Sequence, residues 1–340
     1  MTTSPNTQNT PNTGTTPRTA LVTGGAGYIG MLVCAELAAA GRHVRALDNL
    51  LHGQHEQARA LEDSGVELHV GDIRDPAARA RALEGVDEVV HLAAIVGDPA
   101  CAKDPEQARD VNVEGSRGLV RDARAAGVAR MVFASTCSNY GRMADPTVPI
   151  TEDGTLAPVS LYAEQKVGIE KALLDEDFAP LLPTCLRFAT VYGVAPRMRF
   201  DLTVNEFTRD LWADKHLEVF GEQFWRPYAH VRDVARAVRL VLDTPVEKVG
   251  RRVFNVGRSG ENYRKLDLVE EIRSQTDRGQ VSFVARTEDP RDYKGSFDRI
   301  RAELGFETTM TVPDGIAEVL AGLEAGRFGD AFARAHRNTD

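Results

Sequence analysis

The chain has 340 residues, 42% hydrophobic and 27% charged, which excludes a disordered, collagenous or small disulfide-scaffold protein and leaves room for one large domain or two modest ones. Its 50 acidic and 41 basic side chains give a formal charge of -9, spread without long single-sign runs, so no nucleic-acid surface is expected and any anionic ligand must be held locally. Four cysteines, Cys34, Cys101, Cys137 and Cys185, stand far apart without metal-ligand spacing, which predicts reduced thiols, a cytoplasmic setting and no bound metal.

In chain order, the Thr/Asn/Pro-rich run 1–17 lacks the basic and apolar parts of a secretory signal and is expected to be a disordered tail. No later segment offers the roughly 18 uninterrupted apolar residues of a membrane span, so no membrane association is expected. From Thr19 onward, strands are predicted at 19–23, 43–47, 66–70, 88–94, 130–136 and 182–192. Helical periods near 28–40, 54–63, 76–83, 105–126 and 159–174 separate them. Strands apolar on both faces and joined through helices imply parallel pairing, because hairpins need far shorter connections. The expected fold class is therefore α/β, a doubly wound parallel sheet. After Gly193 the rhythm breaks, and a helix at 231–242 and a strand at 252–256 return to it. The division expected is a cofactor domain over 18–192 with returning segments near 228–258, and a smaller interleaved C-terminal domain from 193–227 and 259–330.

The first strand runs into LVTGGAGYIG, where Gly24, Gly27 and Gly30 are spaced GxxGxxG between a strand and a helix. Such a loop turns sharply, brings bare backbone to a pyrophosphate and aims a helix N-terminus at it, so a dinucleotide is expected. Asp48, at the end of the second strand, is placed to accept hydrogen bonds from the adenosine ribose and to repel a 2′-phosphate, which favours NAD over NADP. Arg42 and Arg45 are the nearby basic residues able to favour a 2′-phosphate instead. Asp72 in the GDI run is placed for the adenine amine, and the HLAA run lines the pyrophosphate side with small residues. Downstream, Tyr162 and Lys166 stand four apart on a predicted helix and share a face. An ammonium beside a phenol favours the phenolate, lowering a pKa that is ordinarily about 10. The strand at 130–136 ends in hydroxyls at Ser135, Thr136 and Ser138, where ligands of an open α/β sheet sit.

These motifs together resemble the extended short-chain dehydrogenases/reductases of the NAD-dependent epimerase/dehydratase type, over roughly residues 19–327. The marks are TGGAGYIG, DN at Asp48 and Asn49, GDI, HLAA, DVNVEGS, STCSNYG, YAEQK, LRFATVYG and RPYAHVRDVARAV. The resemblance implies a Rossmann-type sheet and bound NAD, held by Gly24, Gly27, Tyr28, Ile29, Gly30, Asp48, Asn49, Asp72, Ile73, Leu92, Ala93, Ala94, Asn112, Tyr162 and Lys166. It assigns Thr136, Tyr162 and Lys166 as the catalytic set, with Tyr162 as base. It implies a nucleotide-diphosphate sugar as ligand, met by Ser135, Thr136, Thr190, Phe200, Asn205, Arg226 and Arg291, and a homodimer paired through the helices near 105–126 and 159–174. Arg197 and Arg232 are basic neighbours that read equally as solvated or ion-paired surface, and Phe224 and Trp225 as stacking or core residues. The loop 96–105 is expected to border the sugar.

Departures narrow the chemistry. Where related 4,6-dehydratases carry an Asp-Glu pair after the catalytic Thr, this chain has Cys137 and Ser138, which supply no ordinary acid–base pair near neutral pH. Thr190 replaces the family's usual Asn. The expected function is an NAD-dependent nucleotide-sugar epimerase acting through transient oxidation at sugar C4. A 4-ketoreductase or atypical dehydratase is the alternative within enzymes, and a non-catalytic NAD-binding sensor or scaffold the alternative outside them.

Overall fold

Short β-branched runs separated by helices do assemble as parallel neighbours in the computed structural model, which describes residues 17–143, 145, 148–285 and 291–338. All but the last residue of the expected tail lies outside the described residues. Strands β1 (Thr19–Thr23), β2 (His43–Asp48), β3 (Glu67–Val70), β4 (Glu88–His91), β5 (Arg130–Thr136) and β6 (Leu182–Phe188) follow the predicted positions. Strands β7 (Thr190–Tyr192), β8 (His216–Phe220) and β9 (Trp225–His230) leave that plane, and β10 (Arg252–Val256) returns to it. The resulting seven-stranded sheet has the order β10-β6-β5-β4-β1-β2-β3, with every pair parallel. This is a Rossmann-type α/β fold.

The period-2 alternation of the strands divides the core into two layers. Ala20, Val22, Val90, Val132 and Ala134 face one layer, packed against α1 (Gly30–Ala39) and, from later in the chain, the helix at Val231–Asp243. Leu21, Val89, Met131 and Phe133 face the other. Between them in sequence come α2 (His55–Asp63), α3 (Pro76–Leu83), α4 (Asp98–Lys103), α5 (Pro105–Arg109), α6 (Ser116–Ala125), α7 (Leu161–Asp175) and α8 (Thr203–Trp212), with Val231–Asp243 as α9. Helices α3, α6 and α7 cover the second layer with Ala78, Leu119 and Ile169.

Three local differences from the sequence expectation have physical reasons. The predicted strand 182–192 is two strands: β6 pairs with β5 and β10 as far as Phe188, and from Thr190 the chain pairs with β9 in a separate sheet. The apolar run is continuous, so periodicity carries no sign of the change of sheet. The predicted helix 105–126 holds a π-helical stretch at Asp110–Gly115, a one-turn widening that seats Asn112. The predicted strand 88–94 ends at His91, and α4 forms in the segment expected as a loop. Downstream, β11 (Asn262–Arg264) joins β9, and β12 (Gln280–Val284) pairs with β8. With α10 (Val246–Val249), α11 (Lys265–Arg273), α12 (Asp298–Leu304) and α13 (Val312–Glu324), these complete the elements used below. Residues of α8, α11 and α13, among them Phe207, Leu268 and Ile316, close over a separate apolar cluster. Among the described residues, no helix is long and apolar enough to cross a membrane.

Candidate cofactor and substrate site

The loop from β1 to α1 is shaped by contacts that exclude side chains. Gly24 has φ +74°, and a Cβ there would stand 3.0 Å from the Ala93 backbone nitrogen; at Gly30 it would stand 2.0 Å from the Gly24 carbonyl oxygen. The bare backbone leaves a cradle in front of α1, whose positive end suits an anion. Asp48, largely buried, accepts the Ala26 amide at Oδ2 (3.0 Å) and the Leu50 amide at Oδ1 (2.9 Å). Burial pushes its pKa up while these amides and Arg197 oppose the rise. Each carboxylate oxygen keeps a lone pair for a ribose hydroxyl. Asp72 is gripped by Arg74 and Asn49, and the Arg74 hydrogen bonds hold its pKa down at about 2. Arg42 and Arg45 turn away from this end: Arg42 pairs with Glu88 and Asp243, and Arg45 with Glu67 and the carbonyls of Ala82 and Glu84.

One cleft gathers Gly24, Gly27, Tyr28, Ile29, Gly30, Asp48, Asn49, Asp72, Ile73, Leu92, Ala93, Ala94, Tyr162 and Lys166, with Ser135 at its floor. Asn112 is the member of the expected cofactor set that does not line it. It is buried behind the wall, bonded in both directions to the Ile95 backbone (2.8 and 3.0 Å) and donating to Gln165 Oε1 at 2.8 Å. Asn112 therefore fixes the wall to α7. His91 of the HLAA run is buried too, between Thr23 (2.8 Å) and Ser116 (2.9 Å), with its pKa pushed down to about 3 by burial, so it is a neutral brace.

Ser160 caps α7, accepting the Ala163 amide at 3.3 Å, and the helix then presents Tyr162 and Lys166 to the cleft. Lys166 Nζ donates to the Ala134 carbonyl at 2.8 Å and lies 4.7 Å from the Phe133 ring centroid and 5.9 Å from that of Tyr162. The expected acidification of the phenol is not what the protein alone produces. Burial pushes the Tyr162 pKa up, with Cys101 and Asp98 adding to the rise, and burial pushes that of Lys166 down to about 8. Thr136, at the end of β5, accepts the Ser138 amide at 3.1 Å.

The substrate-side expectations divide. Ser135 donates to the buried Glu170 at 2.5 Å, and Glu170 forms an ion pair with Arg187, so Ser135 is tied into the scaffold beneath the cleft. Cys137 is buried against the Arg187 carbonyl, and burial pushes its thiol pKa up, which fits a packing residue and not a base. Phe200 and Asn205 are not brought to the cleft surface. Phe200 is enclosed by Phe328 and His336, and Asn205 donates to the Arg199 carbonyl (2.9 Å) and accepts the Gly193 amide (2.9 Å). Thr190 is half-buried at the start of β7. The Arg226 guanidinium lies 5.7 Å from the Tyr293 ring centroid, and Tyr293 also meets Ser138. Arg226 is thereby near Ser138, which follows Thr136 by two residues, whereas Arg291 pairs with Asp98 of α4 at 2.9 Å. Phe224 is buried, whereas Trp225 lies between Arg264 and Lys294. Arg232 pairs with Glu318. Tyr293 was missed by the motif reading, as were His52, Arg199 and Asn338 in the cleft wall. The only sequence signal for Tyr293 is its place two residues after Arg291.

The chain is similar to several known proteins. A profile of the NAD dependent epimerase/dehydratase family matches residues 20–257. A UDP-glucose 4-epimerase of Corynebacterium glutamicum is 32% identical over 309 residues, covering 86% of this chain and 91% of that one. The crystal structure of Thermus thermophilus UDP-glucose 4-epimerase with NAD superposes with a TM-score of 0.79 at 26% identity, covering 90% of this chain and 99% of that one. DesIV, a dTDP-glucose 4,6-dehydratase from Streptomyces venezuelae solved with NAD, gives a TM-score of 0.81 at 27% identity, covering 91% and 98%.

Proposed function

The chain belongs to the NAD-dependent epimerase/dehydratase family, and from that membership and the site geometry we propose that it epimerises a nucleotide-diphosphate sugar through transient oxidation at C4. It is an NAD-dependent enzyme of the epimerase/dehydratase type. The observation that carries the finer reading is the make-up of the β5 terminus. Tyr162 and Lys166 share a cleft with the glycine loop and Asp48, while the positions after Thr136 hold a buried thiol and a serine instead of carboxyls. Proton transfer at a hydroxyl is thus provided for, and acid-catalysed loss of a hydroxyl is not.

Bound NAD supplies the acceptor and donor of the hydride. Tyr162 takes the C4 hydroxyl proton and returns it, Thr136 hydrogen-bonds the same oxygen, and the Lys166 ammonium holds the cofactor's ribose side. Arg226 and Arg291 neutralise the sugar's diphosphate. The protein functions as a homodimer paired through α5–α6 and α7, for which sizing chromatography should give about twice the 37.1 kDa chain mass.

The test is incubation of the pure protein with UDP-, dTDP-, GDP- and CDP-hexoses, UDP-glucose and UDP-galactose first, reading product mass and C4 configuration. An epimer has unchanged mass. A gain of two hydrogens would replace the proposal with a ketoreductase, loss of water with a dehydratase, and NAD binding without turnover of any sugar with a sensor.

A further inference from the structure

We infer that Arg197, reaching in from the substrate-side lobe, binds the diphosphate of the dinucleotide cofactor, and that the segment Arg334–Asn338 holds it in position. This rests on the use of NAD and not on the sugar chemistry. Arg197 lines the cleft yet is only 3% exposed. Its Nη2 donates to two neutral acceptors, Asn338 Oδ1 (2.7 Å) and the Arg337 carbonyl (3.3 Å), and its buried Nε has no partner. No carboxylate among the described residues forms an ion pair with it. Asp201 is committed to Arg199 (2.9 and 2.7 Å) and to the Asn338 amide (3.0 Å), and both Asp48 oxygens already accept backbone amides. A buried, unneutralised guanidinium is costly in a folded chain, and an anionic ligand offsets that cost.

Its location selects the anion. Ala195 packs against Tyr28 at the entrance to α1, Tyr28 donates to the Gly193 carbonyl at 2.6 Å, and Gln57 of α2 reaches the Pro196 carbonyl at 3.4 Å. Arg197 thereby lines the same cleft as the glycine cradle, on the side of Asp48 and His52. A diphosphate in that cradle would meet the backbone amides that open α1, and the guanidinium in the same cleft would supply its counter-charge. The adenosine 2′-position instead faces the Asp48 carboxylate, which repels a phosphate there. Phe200 anchors the terminal segment in turn, its amide donating to the His336 carbonyl at 2.8 Å and its ring packing edge-on against Phe328 and His336.

The test is equilibrium binding of NAD, ADP, 2′-AMP and adenosine to the full-length chain, its Arg197→Gln and Arg197→Lys variants, and Asn338→Leu. In Arg197→Gln the affinity for ADP relative to adenosine should fall about ten-fold or more, with NAD following ADP. Arg197→Lys should recover part of the loss, and Asn338→Leu should shift the ratio the same way by less. Because the two ligands are compared on one sample, partial misfolding leaves the ratio unchanged. An unaltered ADP-to-adenosine ratio in Arg197→Gln overturns the inference, and so does a loss confined to 2′-AMP. Failure to turn over any sugar leaves these ratios untouched.

Discussion

Tyr162 and Lys166 lie one turn apart on α7, and burial disfavours the charged form of both. The spacing that was legible in the sequence gave the shared face correctly but not the electrostatics, because desolvation depends on walls contributed by α4 and β5. In the proposed mechanism Tyr162→Phe removes the group that moves the hydroxyl proton and leaves the cradle intact, so turnover should drop by about 10²–10⁴ while NAD affinity changes little. Retained turnover in a steady-state assay would remove the phenol from its assigned role. Lys166 carries its charge below a pKa of about 8 and loses it above. Affinity for NAD should therefore fall as pH rises through about 8, and the fall should be absent in Lys166→Met, as read by titration at fixed ionic strength. The same lowered pKa acts on stability with the opposite trend. The folded chain binds fewer protons at this lysine than the unfolded chain between about 8 and 10.5, so the Lys166 contribution to stability rises with pH across that window.

At the level of elements, the strands and the glycine loop were readable because each is encoded within a few consecutive residues. Where the fold departs from the reading, the cause lies elsewhere in the chain. Phe188, Ala189 and Thr190 continue the apolar run of β6, and the switch to a second sheet is decided by β9, which arrives some 40 residues later. Asn112 continues a helical period, and its π turn is set by Ile95 and Gln165 across the wall. Arg197 is undistinguished among neighbouring arginines until residues 337 and 338 close on it. Phe200 and Asn205 sit in a family-like segment, but here their capacity is spent inside the lobe. Helix α7 supplies the prediction at this scale. Ser160→Ala removes the cap two residues before Tyr162 and should cost about 1 kcal/mol in urea unfolding, with kcat falling more than KM rises.

Across the whole molecule, the helix that carries Tyr162 and Lys166 is tied to the sheet by one buried charge cluster. Glu170 of α7 pairs with Arg187 of β6 and accepts from Ser135 of β5, while Arg187 also donates to the Tyr140 hydroxyl (2.8 Å) and the Glu152 carbonyl (3.0 Å). Glu170→Gln leaves a buried guanidinium without its counter-charge and should cost about 3–5 kcal/mol, measured as a lower urea midpoint with unchanged slope. The order in which the sheet is filled bears on how the protein is made. Its outermost member beside β6 is encoded at 252–256, after the chain has travelled through β7, β8, β9 and α9. A ribosome that has released only the first 192 residues has therefore exposed a nascent sheet with an unprotected, sticky border at β6. Dissecting the gene at the apparent boundary between its halves should yield inclusion bodies in place of a minimal nucleotide binder, because the halves share a sheet that neither finishes alone.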